Sequence, residues 1–257
     1  MSNIKVPVEE NKLLEKVVDL INANVEINTL WRVINTNAIT RLGMTDHGPT
    51  HFQIVSNSAL KILRTLVRHG VKTSIEKDLN LTNNHAEVVV FLASVMHDLG
   101  MSISRSGHEE FSLILTNTLL REILSFMPIE ERTIVISETL HAIISHRSGG
   151  KPLTIEAGVV RVSDALDMTK GRSRVTSELG NVDIHSVSHQ AVEKVEILEG
   201  TDKPVQINFY LNNMAGIFQV DDLMGSKLVG SGIEKYTHAT AYLDNNSEFK
   251  VVKDFNL

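Results

Sequence analysis

NHAEVVVFLASVMHDLG, residues 84–100, joins a long apolar run to a His–Asp pair and a glycine. Asn84, followed three residues later by Glu87, resembles a capping box and opens a helix. From Ala86 to His97 that helix is almost wholly apolar, and a helix apolar on every side belongs at the centre of a bundle. It ends on His97 and Asp98, just before a glycine. Taken alone, that dipeptide reads either as a solvated helix end or as part of a metal site, its two side chains projecting roughly 100° apart.

Outward from this segment the apolar residues keep helical spacing. Glu9–Val25 carries Leu13, Leu14, Val17, Val18 and Ile21 on one face, and Ile27–Leu42 stops at Gly43. After Gly48–Pro49, His51–Val67 shows a stripe of Val55, Ala59, Ile62, Leu63 and Leu66. Further helices are expected at His108–Phe126, Glu130–His146 and Thr154–Met168. Beyond Gly180 the pattern changes. Val192–Leu198 and Val205–Leu211 read as strands joined by a turn, Ile217–Val229 as a helix, and Tyr236–Leu243 as a strand. The expectation is a mainly α protein: a helical bundle over 1–180 and a small α+β unit (β-β-α-β) over 181–257.

Composition narrows the function. The net charge of −6 disfavours a nucleic-acid-coating role, which needs a basic surface, and 5% aromatic residues leave few stacking platforms. With no cysteine, any bound metal must be held by His, Asp or Glu. No run of about 18 apolar residues occurs, and Met1–Glu15 lacks the apolar centre of a signal peptide. A soluble, cytoplasmic protein without a membrane partner is expected.

The chemistry lies in the order of the polar residues. His51 begins one helix, His97–Asp98 ends another, and Asp164 sits within a third. Ligands from separate helices can converge inside a bundle, and this donor mixture suits Mn, Fe, Co or Ni, with Mg also accommodated. The flanks HFQIVSNSALKIL (51–63), FLASVMHDLGMSIS (91–104) and VVRVSDALDMTKGRSR (159–174) follow this order. Together they resemble the HD superfamily of metal-dependent phosphohydrolases over about residues 50–175. SRSGHEEFS (104–112) and AIISHRSGG (142–150) also look like the C-terminal HD region of exopolyphosphatase-type proteins.

The resemblance implies an HD-domain bundle with His51, His97, Asp98 and Asp164 as primary metal ligands, and a metal-held water attacking phosphorus. Asp98 would bridge if there are two ions. His108 and His146 become candidates for the second ion or for substrate phosphate, and with Asp98 for catalytic roles. His141 is a weaker candidate, pointing about 140° from His146 on a regular helix. Asp167 shares much of the Asp164 helix face, but the family pattern favours Asp164.

Each residue also has a plainer reading. His108 can be a helix-start histidine, and His146 a helix-end one. Glu109 and Glu110 read as first-turn acids favoured by the helix dipole. Pro49 makes His47 a loop residue, so His47/His51, though a candidate metal pair, is not a simple i,i+4 clamp. His69, His85, His185, His189 and His238 read as ordinary surface or hydrogen-bonded histidines. Lys170, Arg172 and Arg174 form an attractive phosphate clamp, with salt bridging as the alternative. Arg147 and Lys151 share that reading more weakly, and Arg105 more weakly still.

The leading expectation is a hydrolase of a phosphomonoester or phosphodiester, on a nucleotide or other small phosphorylated metabolite, using one or two divalent ions. The alternative is a non-catalytic nucleotide-binding or regulatory module using the HD site as a sensor. The intact set of four ligands favours the hydrolase, because a degenerate sensor tends to have lost one. An RNA-linked activity is disfavoured by the lack of a basic stripe. For the C-terminal unit, whose sheet edge needs covering, a homodimer is expected.

Overall fold

The computed structural model describes residues 3–147, 149–169, 191–245 and 248–255. The boundary expected near residue 180 lies outside them, as do Lys170, Arg172, Arg174, His185 and His189.

The apolar segment forms α5 (Asn83–Met96), and every residue from Val88 to Met96 is buried. Its start corrects the sequence reading. Thr82 is the N-cap and His85 completes the capping box, while Glu87 instead accepts hydrogen bonds from Arg64 and Asn11. Around α5 pack α1 (Lys12–Ala23), α3 (Pro49–Arg68), α7 (Ile129–Ser145) and α8 (Ile155–Ala165). The others are α2 (Val25–Asn35), α4 (Ser74–Leu79) and α6 (His108–Ile123). The expected Ile27–Leu42 helix leaves α geometry early, continuing as a π turn over Thr36–Arg41. The buried Trp31 indole donates to the Val95 carbonyl at 3.0 Å, satisfying one of the last carbonyls of α5 just before His97.

The C-terminal unit is a four-stranded sheet in the order β1 (Val192–Glu199), β2 (Val205–Leu211), β3 (Thr237–Asn245), β4 (Glu248–Phe255). β1–β2 and β3–β4 are antiparallel. β2 and β3 are parallel, a pairing that needs a crossover, which α9 (Gly216–Leu228) supplies. β4 was not expected. It is an edge strand whose Lys250, Lys253 and Asp254 dilute the apolar alternation, as edge strands commonly do.

The sheet unit packs on α3 and α8. At Gly158 of α8 an added Cβ would stand 2.1 Å from the Ser231 carbonyl oxygen, so only glycine permits this approach. Beside it, buried Arg161 donates from Nε to the Lys227 carbonyl (3.1 Å) and from Nη2 to that of Ser226 (2.8 Å). These are end carbonyls of α9, where a cation also complements the helix dipole.

Candidate metal centre

Three local devices set the donors. At the start of α3, Asp46 accepts from the Gly48 N–H (2.9 Å) and, more weakly, from that of His51 (3.4 Å). Asn35 holds Asp46 in turn, and an added Cβ on Gly48 would strike Asn35. At the end of α5, Gly100 lies under α6, where a Cβ would come within 2.0 Å of the His108 carbonyl. Ser112 staples this turn, donating to the His97 carbonyl (2.6 Å) and accepting from the Gly100 N–H (2.8 Å). Asp164, in the last turn of α8, and Asp167, just beyond its end, reach toward the start of α3.

These devices bring together the four residues expected as primary ligands. His51 Nε2 lies 3.0 Å from His97 Nε2, 3.4 Å from Asp164 Oδ1 and 3.9 Å from Asp98 Oδ2. His97 Nε2 lies 3.6 Å from each of those two oxygens. Donors about 2.1 Å from one ion at right angles stand about 3 Å apart, so this spacing fits a divalent cation with little movement.

The orientation of the rings fits as well. His97 Nδ1 is 3.0 Å from the Ser94 carbonyl, and His51 Nδ1 is 2.6 Å from Asp167 Oδ2. Both partners accept only, so Nδ1 carries the proton and Nε2 faces inward, the arrangement that outer partners impose on metal-binding histidines. Asp167 therefore orients His51 from behind, and Asp164 faces the centre.

A second group adjoins the first. His108 Nε2 is 3.1 Å from Asp98 Oδ1, and the His146 ring stands between those of His97 and His108, at 4.8 and 5.7 Å. His108 and His146 also anchor Nδ1 on carbonyls, those of Arg105 and Ile143. Among the described residues, the potential metal-holding groups are His47–His51–Asp98, His51–His97–Asp164, His97–Asp98–His146 and His108–Glu109–His146. Asp98 presents Oδ1 to His108 and Oδ2 to His97, His51 and His47. It stands between the two groups.

Burial and proximity set the charges. Burial pushes His51 down, but hydrogen bonds to Asp164 and Asp167 overcome it and raise its pKa to about 10. Burial would raise Asp98, yet the nearby His97 and hydrogen bonds from His108 and His47 hold it well below the carboxylate range. Asp164 is likewise held low against burial, by Lys227, His51 and His97. Burial and the neighbouring His97 drop His146 to about 3. Without a cation, a proton therefore occupies the space between His51 and its facing acceptors.

Not every sequence expectation joins the centre. His141 stands apart, its Nε2 accepting from the Leu153 N–H at 3.0 Å. Arg147 is more than half exposed and pairs with Glu109 at 3.0 Å. With Lys151 it lines an open cleft of about 430 Å³ bordered by Glu109 and Ser145. Arg105 lies beside His108, its Nη1 3.2 Å from Nδ1.

Three residues gain a place that the sequence did not assign. His47 is 2.8 Å from Asp98. Glu109, 3% exposed, turns inward beside His108 rather than serving as a solvated first-turn acid. Lys227, from the sheet unit, reaches Asp164 Oδ2 at 2.8 Å. Nothing in its local sequence marks it; the His47 spacing to His51 and the Glu109 adjacency to His108 were the only available signals.

Comparison with known proteins follows the same lines. The sequence profile of the HD domain matches residues 61–169, a span that holds His97, Asp98, His108, His146 and Asp164 and begins after His51. An uncharacterized protein of Methanocaldococcus jannaschii is 41% identical over 229 residues, covering 89% of this chain and 88% of its own. No solved structure matches. Among the described residues, no helix is long and apolar enough to cross a membrane.

Proposed function

The chain belongs to the HD-domain family of the metal-dependent phosphohydrolase superfamily, and on that premise we propose that it hydrolyses a small phosphomonoester or phosphodiester, nucleotides included. The divalent ion would be held by His51, His97, Asp98 and Asp164. The observation that carries this reading is that the inward nitrogens of His51 and His97 lie 3.0–3.9 Å from each other and from one oxygen each of Asp98 and Asp164, with the far nitrogen of both histidines anchored. A bound divalent cation lowers the pKa of water and neutralises phosphoryl oxygens, the two needs of phosphate-ester hydrolysis.

The chain's own residues do the rest. Asp167 and the Ser94 carbonyl fix the two ring orientations, so the donors need little reorganisation when an ion enters. Asp98 links the primary set to His108. His108, Glu109 and His146 then offer a second ion a group of donors within 4.8 Å of one another. Arg147 and Lys151 border the adjoining cleft and would meet a substrate phosphate there. The net charge of −6 suits a small anion drawn into a metal-neutralised pocket better than a long polyanion.

The test is a panel of phosphomonoesters and phosphodiesters assayed with metal-free protein reloaded with Mn, Mg, Co or Ni. Turnover dependent on the added ion, and lost in Asp98→Ala, is expected. Full activity in metal-free protein would reject the mechanism, and bound metal without any turnover would favour a sensor.

A further inference from the structure

We propose that Lys227 is a positioning residue of the metal centre, so that the C-terminal unit completes the site; this rests on the metal-centre reading above. Lys227 lies at the end of α9 with its side chain 10% exposed. Its Nζ donates to Asp164 Oδ2 and to the His146 carbonyl, both at 2.8 Å. A carboxylate offers two equivalent oxygens to a cation. Here the ammonium occupies Oδ2 while Oδ1 faces His51 and His97 at 3.4 and 3.6 Å. Asp164 is thereby left to bind an ion through one oxygen, in one orientation.

The second bond gives the same ammonium a hold on the other group of donors. It fixes the carbonyl of His146, whose ring packs against that of His97. One side chain from the sheet unit therefore ties α8 to the end of α7 across the centre.

Docking of the two units does not require this arrangement. Arg161 already clamps the end of α9 through the Lys227 and Ser226 carbonyls, and Gly158 admits the close approach of Ser231. An apolar side chain at 227 would avoid the cost of desolvating an ammonium. Nor is Lys227 placed as a substrate clamp, since it is buried and two of its three N–H donors are committed.

The experiment compares Co²⁺ binding to metal-free wild type, Lys227→Met and Lys227→Gln, reading affinity by calorimetry and coordination by the visible Co²⁺ spectrum. Expected is a loss of affinity of about 10–100-fold in Lys227→Met, the range for removal of an orienting partner. Its spectrum should change as Asp164 gains freedom, with a smaller change in Lys227→Gln, which keeps an N–H donor. A purely structural role would lower the melting temperature and leave affinity and spectrum of the folded variant unaltered, which overturns the inference. If Lys227→Met does not fold, wild-type affinity and spectrum in Lys227→Gln overturn it equally. Wild type that takes up no Co²⁺ would instead overturn the metal-centre reading, and this inference with it.

Discussion

His51 and His146 are both buried histidines, each with Nδ1 anchored and Nε2 turned toward the centre, yet they sit at opposite ends of the proton scale. His51 is raised to about 10, while His146 is lowered to about 3. The difference lies in what each ring faces. His51 lies between Asp167 behind and Asp164 in front; His146 has a backbone carbonyl behind and the His97 ring beside it. Two donors of the same residue type thus meet an incoming ion differently. At His51 an ion would displace a proton, and at His146 it would find the nitrogen uncharged.

Removing the rings gives the largest expected contrast. His51→Ala should lower Mn²⁺ affinity by more than the ~100-fold that loss of an orienting partner can cost. His146→Ala should retain at least one bound ion. Elemental analysis after dialysis reads both, and equal loss in the two variants would erase the distinction between the halves.

Next comes the pH dependence of metal-free stability. His146 titrates near 6.5 when unfolded, so its contribution is complete above 6.5 and lost as pH falls toward 3. His51 runs the other way, its contribution complete below 6.5 and lost as pH rises toward 10. Each effect is on the order of a few kcal/mol. Urea melts across this range should show greatest stability near pH 6.5, and saturating Mn²⁺ should remove the alkaline decline by replacing the His51 proton. A metal-free protein that gains stability steadily up to pH 10 would contradict the protonated His51.

Asp167→Asn tests the cause of that proton affinity. Metal affinity should fall by about 10–100-fold, and the alkaline decline, still starting near 6.5, should be smaller and end at lower pH. An unchanged titration would remove Asp167 from its orienting role. The smallest effect is expected at Arg147, whose partly exposed pair with Glu109 contributes at most about 1 kcal/mol. Arg147→Ala should therefore melt almost as wild type while raising KM for a phosphate substrate; an unaltered KM would reject its place in the cleft.

The same comparison shows what the sequence could and could not disclose. α5 was legible because a wholly apolar helix has only one place in a bundle, and His51, His97, Asp98 and Asp164 because their flanks come in a recognisable order. The separate tasks of Asp164 and Asp167 were not. Three residues apart, on either side of the end of α8, they reach opposite nitrogens of the same ring, and the tertiary position of His51 decides which stands behind it. Glu109 looked like an ordinary first-turn acid until packing buried it. Lys227 was hidden further still. It lies 63 residues from Asp164 in an unremarkable helix, and its role depends on how the sheet unit meets α8. The fourth strand was missed because charged residues obscure the pattern of an exposed edge.

Equilibrium dialysis of metal-free protein against Mn²⁺, with bound metal read by atomic emission, reaches the heart of the matter. At least one tightly held ion per chain is expected in wild type at neutral pH, with proton release on binding and no such ion in His97→Ala. Wild type that retains no Mn²⁺, or His97→Ala that retains as much as wild type, would contradict a metal centre at these residues.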